Sequence, residues 1–114
     1  MGTAALQTTV SVKLDGSGNG SIGVGPTGFK ETWENVTASV HCATNVIEAT
    51  CRIFVGPAAI AQYFVDGTYA GSTGDSTTNL PPTIVGGQQV FAQWMTGDAN
   101  TTAYLSLSGT RNVA

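Results

Sequence analysis

Seven carboxylates are the chain's main store of proton-transferring groups: Asp15, Glu31, Glu34, Glu48, Asp66, Asp75 and Asp98. Glycoside hydrolysis would need two of them about 5 to 9.5 Å apart, one with its pKa raised by burial. Most sit in turn-like stretches, and Asp66 and Asp98 have a sufficient role in starting turns by bonding their own backbone. Glu31 and Glu34 straddle Trp33 on different faces of an extended run, so they do not converge. Nucleophilic catalysis is no better served. Many serines accompany the single histidine, His41, and no Gly-x-Ser-x-Gly elbow occurs. These residues predict no enzyme and no catalytic residue.

Cys42 and Cys51 lie at the inner ends of two strand-like runs. If those runs pair, the thiols could form a disulfide, provided their Cα atoms come within about 4.4 to 6.8 Å. The alternative is two buried thiols behaving as small apolar residues. Two cysteines and one histidine fall short of the roughly four N/S ligands of structural zinc. Asp15, Ser17, Asn19 and Gly20 match the first half of a calcium loop, but Pro26 stands where the bidentate Glu belongs and the flanks read as strands. No metal and no cofactor is expected.

Whatever the site, β-strands must position it. In Gln89-Val90-Phe91-Ala92-Gln93-Trp94-Met95, the period of two puts Val90, Ala92 and Trp94 on one face. Alternation resumes in residues 102–108 with Ala103, Leu105 and Leu107 inward, and the polar stretch between predicts a hairpin. A first strand with Leu6, Val10, Val12 and Leu14 on one face, followed by the glycine-rich loop 15–20 and residues 21–25, predicts a second hairpin. Val36, Ala38, Val40 and Cys42 line a long strand with Trp33 near its start and His41 facing outward. Cys51, Ile53 and Val55 line the next, with Arg52 and Phe54 outside. Residues 57–65 could make a short helical turn. Asp66-Gly67 reads as a turn, and Pro81-Pro82 makes Thr83-Ile84-Val85 an edge strand or loop. Seven or eight short strands separated by glycine turns predict one all-β domain over residues 1–114, an antiparallel β-sandwich of jelly-roll or Greek-key order.

At 114 residues the chain can bury one core, and 41% apolar content with regular alternation argues for folding. Only 10% of residues are charged and the net charge is −3, so no basic patch exists to neutralise phosphates. Nucleic acid and anionic membranes are therefore not expected partners. No run of 18 apolar residues occurs, and the first five residues lack the basic start and apolar core of a secretion signal. The outer-face aromatics Tyr63, Phe64, Tyr69, Phe91 and Tyr104, together with Met95, are candidates for a protein interface or for stacking on a sugar.

Six segments taken in order carry a resemblance: residues 12–20, 24–27, 31–33, 51–56, 66–72 and 90–98, the last reading Val90-Phe91-Ala92-Gln93-Trp94-Met95-Thr96-Gly97-Asp98. Together they resemble the small β-sandwich virion proteins of tailed bacteriophages, of minor tail or head-decoration type. The resemblance implies a non-enzymatic structural subunit, assembled in the host cytoplasm and present in many copies on the outside of the virion. Its partners would be other virion proteins of capsid or tail and further copies of itself. A carbohydrate-binding module that attaches to a host-surface glycan is the alternative expectation.

Overall fold

The computed structural model describes residues 2–26, 28–57, 63–70 and 75–113, with backbone alone at 68–70. Nine strands form among these residues: β1 (Gly2–Lys13), β2 (Gly20–Val24), β3 (Glu31–Cys42), β4 (Ala49–Gly56), β5 (Phe64–Ala70), β6 (Asp75–Thr77), β7 (Thr83–Val85), β8 (Gln89–Met95) and β9 (Thr102–Val113). One sheet runs β1-β9-β3-β6 with β7 also on β3, and the other runs β2-β8-β4-β5. The antiparallel pairs β1/β9, β2/β8, β3/β6 and β4/β5 are those of one long hairpin rolled into two layers. This is a jelly-roll sandwich.

The two expected hairpins do not exist. β8 pairs with β2 and β4, while β9 pairs with β1 and β3, so residues 96–101 cross from one sheet to the other. Residues 14–19 cross in the same way between β1 and β2. Alternation dictates which face of a strand is buried but not which strand lies beside it, and a polar turn can span the roughly 10 Å between packed sheets. Asp66-Gly67 is likewise no turn, since both residues lie inside β5 opposite Ile53 and Arg52. The possible helical turn at 57–65 falls largely on 58–62, outside the described residues.

Between the layers lie the expected inward rows. Val90, Ala92 and Trp94 of β8 and Ala103 and Leu105 of β9 have no solvent exposure, and Leu107, Cys51 and Ile53 have almost none. Trp33 joins the same core although strict alternation with Val36 would point it outward. The reason is a bulge. Asn35 has φ of 53°, and the β3/β9 register shifts between Glu34 and Thr37, which reverses the inward parity from odd to even residues. Asparagine tolerates this left-handed conformation better than most residues. Phe54 is also buried rather than exposed, because the ring of Phe64 packs edge-on against it with centroids 5.7 Å apart.

β3 spans about 40 Å at roughly 3.3 Å per residue, close to the molecule's 45 Å long axis. It therefore defines two poles. Near Glu31 lie residues 25–26 and 28–30, the 86–88 turn, Gly2 and Val113. Near Cys42 lie the 14–19, 43–48 and 96–101 loops, tied together by bonds such as Leu14 N–H to Thr101 O at 2.8 Å and Gly97 N–H to Gly18 O at 3.1 Å.

Candidate functional site

Chemistry-bearing residues gather at the two poles. At the first, Glu31 opens β3 with its side chain turned inward and 7% exposed. The Trp33 indole donates to its Oε2 at 3.0 Å, and Arg111 Nε donates to the same oxygen at 2.5 Å. Glu34, on the opposite face, accepts from the side-chain amide of Asn112. The two glutamates are thus held by the end of β9, which runs beside the start of β3. No spacing rule links residues 80 positions apart, so the Glu31–Arg111 pair was invisible in the sequence. Each carboxylate is committed to a structural bond. Among the described residues, no three His, Cys, Asp or Glu side chains converge on a metal-sized position.

At the second pole, Asp15 and Asp98 organise loops. Asp15 Oδ1 accepts from the backbone N–H of Ser17 at 2.8 Å and of Asn19 at 3.0 Å, a local turn that occupies the calcium-like stretch. Asp98 does not cap its own turn as expected. It reaches across to the 43–48 loop, accepting from Thr44 Oγ1 at 2.8 Å, Val46 N–H at 2.9 Å and Ile47 N–H at 2.7 Å. These donors stabilise the charged carboxylate, so its pKa is lowered from 3.8, with the Val46 N–H contributing most, then the Thr44 hydroxyl and the Ile47 N–H. A carboxyl whose pKa is depressed by folding adds stability above its unfolded value and loses it as pH falls through the folded value. Asp98→Asn is therefore expected to melt at a lower temperature than the native chain at pH 7, and the gap should narrow as the pH falls below the ordinary aspartate value of 3.8 in a calorimetric pH series.

Cys42 and Cys51 are free buried thiols rather than a disulfide. The runs that carry them do not pair, since β3 and β4 belong to different sheets. Burial pushes both thiols up, Cys51 furthest, with the neighbouring Cys42 adding to the shift there and Asp98 adding to that of Cys42. Two thiols per chain should react with a water-soluble disulfide reagent in denaturant and almost none in native buffer at pH 8. Rapid native labelling would contradict the buried placement.

The outer-face aromatics are scattered. Phe64 is 47% exposed on β5, beside half-buried Tyr63. Phe91 and Met95 are half-buried on the outer face of β8, and Tyr104 on β9 stacks flat on exposed His41, with ring centroids 4.6 Å apart. The Tyr69 side chain lies outside the described residues. Among the described residues, the most exposed large apolar side chains are ones the periodicity could not flag, because they sit in loops: Phe29 at 97%, Val46 at 92% and Ile47 at 57%.

No protein-family model matches the chain. No curated protein sequence matches it either. A solved structure of Bacillus endospore appendages, described as a novel family of disulfide-linked pili, is similar to this chain in fold. Its TM-score is 0.54 at 11% identity, over 97% of this chain and 88% of that one.

Proposed function

We propose that this chain is a non-enzymatic structural subunit, used in many copies on the outside of a tailed-phage virion and acting through protein–protein contacts on capsid or tail. The observation that carries the reading is β1. It is 12 residues long, forms the edge of its sheet, and pairs with β9 in unbroken register. Natural sandwiches usually blunt such an edge with charges, proline or a bulge. β1 has one charge, Lys13 at its end, no proline and no register shift. A row of backbone donors and acceptors this long and this lightly guarded is suited to receive a strand or edge from a neighbour.

The similar fold of the Bacillus endospore appendages, which form pili, supports a role in an external assembly, while the virion setting rests on the six-segment resemblance. Linkage here would be non-covalent, because Cys42 and Cys51 are both buried. Immunogold labelling of intact virions tests the reading. Gold on the outer surface of capsid or tail is expected, and unlabelled particles would overturn it.

A second reading, attachment to a host-surface glycan, is favoured by one feature. His41 and Tyr104 stack on each other on the outer side of the sheet, and aromatic rings at a protein surface are a common contact for sugar rings. Binding on a glycan array that disappears in Tyr104→Ala would establish it, and an array with no signal would remove it.

A further inference from the structure

The two poles of the sandwich are complementary. At the Glu31 pole an open notch of about 450 Å³ is lined by Gly28, Phe29, Lys30, Glu31, Arg111 and Val113. Phe29 is 97% exposed and Val113 37% exposed, so the notch has apolar walls. Within it the Glu31 charge is matched by Arg111, and exposed Lys30 on the rim makes the sign positive.

At the opposite pole, Val46 and Ile47 stand out at 92% and 57% exposure and are followed by exposed Glu48. This tip is held in shape, because Asp98 binds the backbone N–H groups of both Val46 and Ile47. Asp98 and Asp15 add further negative charge at this pole, which exposed Lys13 at the end of β1 offsets in part.

Resting on the subunit reading above, we infer that the notch receives the Val46-Ile47-Glu48 tip of a second copy, head to tail. An apolar, acidic projection meets an apolar, basic recess, so burial supplies attraction and charge supplies orientation. Two-fold pairing of notch against notch would oppose Lys30 to Lys30, and pairing of tip against tip would oppose Glu48 to Glu48. Only the unlike contact matches. Because notch and tip lie at opposite ends of the 45 Å axis, an end-to-end contact repeats along that axis, whereas two copies lying antiparallel would make the same contact twice and stop at a dimer, which the concentration series separates. The end cross-section of 25 by 21 Å limits the contact to on the order of 500 Å² per partner, near the lower bound for a specific interface. A single contact is therefore weak, and a row of copies or pairing at β1 strengthens it through effective concentration.

Charge reversal tests the inference through sedimentation velocity over a concentration series at low salt. Lys30→Glu and Glu48→Lys each alter one exposed residue, and circular dichroism checks that both variants keep the native fold. Each variant alone is expected to associate at least tenfold more weakly than the native chain. An equimolar mixture should recover association, because each reversed surface then meets a reversed partner. Overturning results are native chain that stays monomeric at millimolar concentration, single variants that associate like the native chain, or a mixture that fails to recover. Should these occur while immunogold still marks the virion, the head-to-tail contact falls and the structural role stands.

Discussion

Trp94→Ala is expected to destabilise the fold by about 3–5 kcal/mol and to lower the melting temperature by about 10–20 °C. Trp94 is the largest fully buried side chain, with no solvent exposure, and it lies between Cys51 of β4 and Gly20 of β2 in the sheet register. Neither the flanking glycine nor the surrounding close-packed strands can collapse into the space an indole leaves, so a cavity term adds to the lost transfer energy. Trp94→Phe separates volume from hydrogen bonding. Among the described residues the Trp94 Nε1–H meets no acceptor, so phenylalanine removes ring volume without breaking a bond. Trp33→Phe makes the same change in volume but also strips a donor from buried Glu31, and it should cost more by about 1–2 kcal/mol. Equal losses in the two variants, measured by urea titration, would contradict the assigned bonding.

Gly18→Ala is the second large effect, at about 2–5 kcal/mol. Gly18 has φ of +75°, a conformation that costs an L-residue roughly 1–2 kcal/mol. A Cβ built there would lie 2.0 Å from the Gly97 carbonyl oxygen, a backbone atom that cannot move without disturbing the Gly97 N–H bond to Gly18 O. Overpacking of that kind adds about 1–3 kcal/mol. The two loops that cross between the sheets therefore meet at a point where only glycine fits. Gly16→Ala, two residues away with open space around its Cβ, serves as the control and should change stability by less than about 0.5 kcal/mol. Comparable losses in both variants would show that loop entropy, and not this contact, sets the cost.

The sequence revealed faces far better than neighbours. The rows at 90/92/94, 103/105/107 and 51/53/55 followed from alternation, because solvent on one side and core on the other impose a period of two. Strand pairing could not be read the same way, since β1 meets β9 across separations of about 90 to 110 residues and the turns at 14–19 and 96–101 suit either a hairpin or a crossing. A trace of the β3 bulge was present. Trp33 and Val36 differ in parity, and Asn35 between them is a residue that accepts positive φ. Phe54 is buried against the alternation of β4 because its cover, Phe64, comes from β5, across a register shift that local pattern does not record. The surface followed the same division. Tyr104 beside His41 could be placed on an outer face, but Phe29, Val46 and Ile47 lie in loops where exposure depends on tertiary anchors such as Asp98.

Together these features describe a charge-poor sandwich whose long edge, with the pairing of poles proposed above, suits repeated contact with its neighbours. Quantitative mass spectrometry of purified virions tests the proposed virion role most directly. Many copies of this chain per particle, held in constant ratio to the major capsid or tail protein through repeated purification, are expected. Particles that retain infectivity and full composition without a trace of the chain would contradict it.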